Sequence, residues 1–424
     1  MTDAHKRTLE LAAGLDEEQL IGPKLLIVNP LRWEIGHVAW FHEKFILRDL
    51  YGRPPLLANG DAIYDSIAIH HHQRWDLPLL SMQETLDYTE KVLDDCLSLL
   101  PVATADQAQS YIYQFSTYHE DMHTEAYTWS RQTLAYPKPS FADAGRPEDA
   151  EAGGWPGDAA VPGGVFFPGA TEKTPFVFDN EKWAHEVAVE PFRIAKAPVT
   201  NGEFMDFVNA GGYRRREFWC DTGWSWREQA NARYPVYWLA GDRGQWRLRR
   251  FNEIGAMPLH QPVIHVNWYE ANAYCRWASR RLPTEVEWEA AALGEPAQDN
   301  SVLALAKRTY PWGEQPPGMR QANLDGRALG CVDVAALPAG DSAFGCRQML
   351  GNVWEWTSTT FAPFPGFSAD AYKEYSEPLF YDTNVLKGGA WATRSRMITG
   401  RYRNFFPPHR RDVMAGFRTC ADSK

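Results

Sequence analysis

The sequence predicts a two-domain protein of mixed class, a four-helix bundle followed by an irregular α+β domain. Three observations carry this reading. Apolar residues recur at helical spacing through residues 1–135. The stretch 136–163, which contains PKPSFADAGRPEDAEAGGWPGDAAVPG, loses that period and is rich in Pro, Gly, Ala and acid, so it reads as a linker or surface wrap. From 164 to 421, short β-like runs (VFFPGA, HEVAVEPFRIAKAPV, NVLKGGAW) alternate with Gly/Pro turns around one clear helix, WYEANAYCRWASRR. A chain of 424 residues is long enough for more than one core.

The bundle is built from four segments. The first is HKRTLELAAGL. The second, PLRWEIGHVAWFHEKFILRDLYG, is introduced by Asn29-Pro30, a capping residue followed by a first-turn proline. The third, SMQETLDYTEKVLDDCLSLL, opens on Ser81-Met82-Gln83-Glu84, a capping-box pattern. The fourth is QAQSYIYQFSTYHEDMHTEAYTWSRQTLA. Bundles of this kind build metal sites between facing helices.

Composition narrows the function classes. The chain is 44% apolar and 13% aromatic with 18 tryptophans, which predicts large buried cores and supplies aromatic faces for flat or cationic ligands. Its formal charge of -11, without a strongly basic block, argues against nucleic acid as a partner. No run of 18 apolar residues exists, and MTDAHKRTLELAAG lacks the apolar core of a signal peptide, so a soluble, cytoplasmic protein with no membrane partner is expected. Cys96, Cys220, Cys275, Cys331, Cys346 and Cys420 form no CxxC pair and are expected to be free thiols.

His119 and His123, in YHEDMHTEAYTW, are four residues apart and project from one helix face, one turn apart. That spacing lets two imidazoles grip one metal ion. A third imidazole from a neighbouring helix would complete a facial set with open positions for substrate and oxygen, the mark of a catalytic metal site. GHVAWFHEKF offers His37, with His42 five residues later and pointing elsewhere. Taken alone, the HxxxH spacing is a weak signal, because two partly buried histidines on a helix face serve equally well as packing. His70, His71 and His72 are consecutive, cannot share a helix face, and read as a polar loop. His260 and His265 read as structural.

The second half carries an ordered series: Ala197-Pro198-Val199-Thr200-Asn201, His265-Val266-Asn267-Trp268, Arg281-Leu282-Pro283-Thr284-Glu285-Val286-Glu287-Trp288-Glu289, Tyr310-Pro311-Trp312-Gly313, Gly351-Asn352-Val353-Trp354-Glu355-Trp356-Thr357, Lys387-Gly388-Gly389-Ala390-Trp391 and Ala415-Gly416-Phe417-Arg418. It resembles the formylglycine-generating-enzyme (sulfatase-modifying factor) fold, a C-type-lectin-like α+β domain. That oxidase binds copper through cysteines near its RGGSW-type stretch. Here the stretch reads LKGGAWATRSRM and holds no cysteine, which excludes formylglycine generation. The first half resembles the DinB-like bundle, whose members bind a divalent metal with three histidines. The two in this order resemble the non-heme iron sulfoxide synthases of ergothioneine and ovothiol biosynthesis, over nearly the whole chain.

The resemblance implies Fe(II) bound by His37, His119 and His123, and O2-dependent coupling of a chalcogen donor to the imidazole of hercynine, a histidine betaine. IVNPLRWEIGHVAWFHEKF, AIYDSIAIHHHQRWDLP, YHEDMHTEAYTWSRQTL and YRNFFPPHRRDVMAGFRTC look most like the selenoneine-synthase lineage, which implies a selenosugar donor. A thiol donor such as cysteine, as in ergothioneine synthesis, is the alternative. A zinc-dependent S-transferase of DinB type and a non-catalytic binding module are the readings from other classes. Three positions depart from relatives that use γ-glutamylcysteine. Phe364 stands for the tyrosine after GNVWEWT, Phe406 for the acid of the C-terminal arm, and Met122 for a glutamine between the metal histidines. The catalytic proton donor is left open among Tyr64, Tyr111, Tyr113 and Tyr118. For the substrates, Phe364, Phe367, Phe405, Trp354 and Trp356 offer faces to a trimethylammonium, although Trp354 and Trp356 are expected chiefly to pack. Met122 lies between the metal histidines, Asn404 suits the carboxylate, and Arg74, Arg410 and Arg411 suit a polar or anionic donor. Each ligand ring should find a carboxylate or carbonyl for its second nitrogen, with Glu34, Glu120 and Asp121 near in sequence.

Overall fold

The computed structural model describes residues 1–100, 107–241 and 245–422. It divides into two compact units, Met1–Ala142 with Phe251–Glu253, and Asp143–Arg250 with Ile254–Lys424.

The first unit contains α1 (Thr2–Ala12), α2 (Glu17–Ile21), α3 (Leu31–His42), α4 (Gly60–Tyr64), α5 (Met82–Ser98) and α6 (Gln107–Thr133). The four longest correspond to the four expected segments. α3 packs against α5 and α6, and α1 against α6. Every residue of α3 except Arg32 is buried, as suits a helix that is apolar nearly all round. Its start differs from the expectation. Pro30 is the cap and Leu31 the first helical residue, while the Asn29 amide donates to Glu34 at 2.7 Å. Its end differs too, because from Glu43 to Leu50 the chain widens into a π-helix. This turn carries Glu43 inside, where the Tyr88 hydroxyl donates to it at 2.6 Å. The capping box at Ser81 and Glu84 is present as expected and opens α5.

The stretch over 136–163, expected as a linker or surface wrap, is bonded along part of its length to the second unit rather than left as a free tether. The division between the units falls at Ala142/Asp143, and Asp158–Val161 is a strand. Between them the backbone bonds into the second unit, with Gly145 N–H on Arg327 O and Asp333 N–H on Ala150 O. A Pro/Gly-rich composition cannot distinguish a tether from a coil whose polar groups are satisfied by a neighbouring core.

The second unit has two four-stranded sheets. One has the order Asp158–Val161, Phe192–Ala195, Cys420–Ala421, Arg280–Arg281, all antiparallel. In the other, Asn404–Phe406, Asn384–Lys387 and Trp354–Thr360 are antiparallel in that order and Ala415–Gly416 adds in parallel to the last. Four helices accompany them: α7 (Asn201–Asn209), α8 (Asp221–Gln229), α9 (Trp268–Trp277) and α10 (Glu285–Leu293). The helix expected through Arg281 ends earlier, because Arg280–Arg281 pairs as a strand. Three of the sequence motifs are helix starts: Thr200 with Glu203, Asn267 with Glu270 and Thr284 with Glu287 each close a capping box.

The other motifs meet in buried ion pairs. Arg418 donates to both oxygens of Glu355 at 2.6 and 2.7 Å, and Arg403 to both of Glu285 at 2.6 and 3.0 Å. Lys387 and Glu289 pair at 3.2 Å with both side chains fully buried. Lys307 approaches the same carboxylate at 2.8 Å. Burial alone raises the Glu289 carboxyl, but Lys307 and Lys387 together hold it at about 2. Trp354 and Trp356 are buried, and the Trp356 indole donates to Val266 O at 2.9 Å. All six cysteines are free thiols. Among the described residues no helix is long and apolar enough to cross a membrane.

Two predictions follow from these buried charges. Lys387→Met is expected to lower stability by about 3 kcal/mol in urea unfolding, because it strands a buried carboxylate with Lys307 alone. His265 is buried, its Nδ1–H donates to Asp412 O at 3.0 Å, and burial holds its pKa down at about 4. A neutral buried ring contributes stability that is full above pH 6.5 and is lost as the pH falls toward 4, where the unfolded state alone takes up the proton. The stability advantage of the wild type over His265→Asn should therefore shrink by about 2 kcal/mol between pH 7 and pH 5.

Candidate metal centre

α3 presents His37, and α6 presents His119 and His123 from one face. One ring nitrogen from each lies within 4.8 Å of the others, and among the described residues no other group of three His, Cys, Asp or Glu converges this closely. The ring centroids are 5.2, 4.9 and 4.7 Å apart.

Each ring is held differently. His37 Nδ1 sits 2.8 Å from the Tyr64 carbonyl oxygen, which makes Nδ1 the protonated nitrogen and turns Nε2 toward its partners. Trp33 stacks on the same ring at 4.8 Å and 8°, and the Arg74 guanidinium lies 4.0 Å over Trp33. The Tyr64 ring occupies the space a Cβ on Gly36 would need, 2.2 Å from its nearest atom. That glycine is what lets α3 approach α4 and receive the carbonyl. His119 stacks on Phe41 at 3.6 Å. His123 Nδ1 faces Glu34 Oε1 at 3.7 Å. Burial first, and then the neighbouring His123, hold the pKa of His37 and of His119 well below the ordinary value. Both are therefore neutral, the state in which imidazole donates a lone pair to a metal.

The rival histidine is used elsewhere. His42 Nε2 lies 3.0 Å from Glu120, whose other oxygen accepts the Thr8 hydroxyl at 2.8 Å. Glu120 therefore ties α1, α3 and α6 together and is not directed at the three rings. In the triplet, His71 Nε2 meets Val28 O at 2.8 Å, while His70 and His72 are exposed. Arg74 donates to Asn29 Oδ1 at 2.8 Å and to Ser66 O at 3.2 Å. Met122 is half-buried. Of the four candidate tyrosines, Tyr64 is buried under Gly36, Tyr113 donates to Cys96 O at 3.0 Å, and Tyr111 stacks on Phe115. Tyr118 is half-buried. The sequence reading missed Tyr127, which extends the same i, i+4 row beyond His123 and whose buried hydroxyl has no hydrogen-bond partner among the described residues.

The second unit draws two of its aromatic candidates, Phe367 and Phe405, into one group. Phe405 stacks on Phe361 at 4.1 Å, Phe361 meets Phe380 at 4.9 Å, and Phe380 meets Phe367 at 5.0 Å. Phe364 lies against the Arg403 guanidinium at 4.0 Å. Arg403, also missed by the sequence reading, spans Phe361 and Phe364 while its charge is matched by Glu285. Asn404 Oδ1 accepts the Phe405 N–H at 2.9 Å. Arg410 is bidentate on Asp412 at 2.7 and 2.6 Å, and Arg411 lies 3.7 Å from Glu270. Both arginines already have carboxylate neighbours.

The three histidines fit a divalent transition metal. They offer three converging nitrogen donors, two of them on rings held neutral, and no carboxylate of the described residues completes the set. The sequence profile of the DinB superfamily matches residues 1–127. That of the sulfatase-modifying factor enzyme 1-like domain matches residues 144–423. The hercynine oxygenase of Mycobacterium tuberculosis is 37% identical over 422 residues, spanning 99% of this chain and 97% of that one. The chain belongs to the hercynine oxygenase family. The Mycolicibacterium smegmatis member is likewise 37% identical, over 99% of this chain and 97% of its own length. The formylglycine-generating enzyme of Mycobacterium tuberculosis is 35% identical over 48% of this chain and 74% of that one. The family relationship thus covers both units, whereas the formylglycine enzyme shares only part.

Gly36→Ala tests whether the close approach of Tyr64 positions His37. The added methyl must displace a buried ring, so a loss of about 1–3 kcal/mol in thermal or urea unfolding is expected, with a parallel fall in bound metal by elemental analysis.

Proposed function

We propose that this chain is an O2-dependent oxygenase that joins a chalcogen donor to the imidazole of hercynine, with Fe(II) held by His37, His119 and His123. The observation that carries the reading is the convergence of three imidazoles, with His37 and His119 held neutral, on two facing helices in a chain matched end to end by hercynine oxygenases. Bound there, iron supplies the redox chemistry that brings O2 to the coupling. The protein's own residues do the rest. The Tyr64 carbonyl keeps His37 in one tautomer, and Trp33 and Phe41 stack on the buried rings of His37 and His119. Phe364, Phe367 and Phe405 have the chemistry to receive a trimethylammonium, and the half-buried Asn404 amide has the chemistry to hold a carboxylate. Arg74, 4.0 Å over the Trp33 ring, is the candidate for a polar or anionic donor, with Met122 beside the metal histidines in sequence. Arg410 and Arg411 are assigned no donor role here, since carboxylates already neutralise or approach them.

A selenosugar is the donor favoured. Phe364 and Phe406 remove the phenol and the acid that the γ-glutamylcysteine-dependent pattern requires, and four stretches of the sequence resemble the selenoneine lineage. A thiol donor, giving an ergothioneine-type sulfoxide, is the second reading, favoured by whole-length identity to hercynine oxygenases.

The test is anaerobic reconstitution with Fe(II), followed by O2, hercynine and either a selenosugar or cysteine, with products read by mass spectrometry. A hercynine–selenium adduct that forms only with O2 is the expected result. A sulfur adduct alone moves the chain to ergothioneine-type chemistry. Thiol transfer without O2 uptake, supported by Zn(II), replaces the oxygenase reading with an S-transferase.

A further inference from the structure

Glu34 lies three residues before His37 on α3, so both side chains project from nearly the same face. Its carboxylate is buried, at 2% exposure. Oε1 accepts the Asn29 amide at 2.7 Å and lies 3.7 Å from His123 Nδ1 on α6. Oε2 has no hydrogen-bond partner among the described residues, and neither has His123 Nδ1. Two complementary buried groups therefore face each other across the helix pair, each unmatched. Buried polar atoms in that condition require an explanation. Glu120 is taken, because it is engaged by His42 and Thr8. His37 shows what a satisfied ring looks like here, with Nδ1 fixed on a carbonyl.

We propose that Glu34 is a positioning residue for the metal centre: its carboxylate accepts the Nδ1–H of His123 and thereby presents Nε2 of that ring to the metal, with Asn29 holding the carboxylate in place. The inference rests on the reading of the three histidines as metal ligands. The 3.7 Å separation is longer than a hydrogen bond, but the terminal carboxylate torsion is soft and closes it by rotation without moving either helix. A carboxylate on the outer nitrogen makes the ring a stronger donor as well as an oriented one. The centre would then be asymmetric, with one ring set by a carbonyl and one by an anion.

The full-length, metal-free protein is titrated with Co(II), whose visible bands report coordination geometry. Glu34→Ala is expected to weaken Co(II) binding by about 10–100-fold, and Glu34→Gln, which keeps a neutral acceptor, to fall between the two. Tyr127→Phe should stay within about twofold of the wild type. Wild-type affinity and an unchanged spectrum in a folded Glu34→Ala protein would overturn the proposal, as would a Tyr127→Phe loss equal to that of Glu34→Ala. If Glu34→Ala does not fold, the wild-type chain decides by 15N NMR of its histidines. A metal-free His123 protonated at Nδ1 supports the assignment, and one protonated at Nε2 refutes it. Failure of the wild type itself to bind Co(II) would instead remove the ligand reading, so the two failures are distinguishable.

Discussion

Imidazoles that meet edge to face in a helical core cannot all carry charge, and the first unit is arranged around that constraint. At centroid separations of 4.7–5.2 Å, two imidazolium charges would repel strongly with little water to screen them. Burial enforces the neutral state at His37 and His119. The stacking of Trp33 and Phe41 supplies that burial, and the Tyr64 carbonyl satisfies His37 without adding a charge. The all-round apolar character of α3 and the missing side chain at Gly36 follow from the same need, since both bring the walls close enough to exclude solvent.

The second unit solves the opposite problem. Three of its buried carboxylates have a cation at hydrogen-bond distance: Glu355 with Arg418, Glu285 with Arg403, Glu289 with Lys307 and Lys387. Removing either partner leaves a charge in a medium that cannot solvate it, which makes these pairs demanding of register rather than merely stabilising. The partners lie on segments far apart in sequence and bring together strands of two to seven residues. A fold with so little regular structure depends on such pairs to select one packing among many. Arg403 illustrates a second use of the same pair: neutralised by Glu285, it becomes a flat surface on which Phe361 and Phe364 rest.

Local chemistry was largely legible. The capping box at Ser81 was read from the sequence, and those at Thr200, Asn267 and Thr284, not read as caps, carry the same four-residue pattern, whose hydrogen bonds close within the segment itself. The boundaries were less so. The π-helical turn from Glu43 to Leu50 and the early end of α9 at Trp277 depend on what lies opposite, Tyr88 in one case and Cys420 in the other. The Pro/Gly-rich stretch concealed a strand because its pairing partner, Phe192–Ala195, lies about thirty residues downstream.

The sequence by itself determined the order of the two units, the helix that carries His119 and His123 on one face, and the chemistry of three imidazoles, because helical periodicity and ligand type are properties of a few consecutive residues. The family resemblance had already implied His37 rather than His42; only the tertiary structure decided that Glu120 serves His42 and Thr8, and that Glu34 stands opposite His123. It likewise decided that Arg410 is bound to Asp412, that Phe367 and Phe405 share one aromatic group and that Phe364 lies against Arg403. Those outcomes depend on which face of one helix meets which face of another. Packing complementarity summed over the whole core settles that, and no local pattern encodes it.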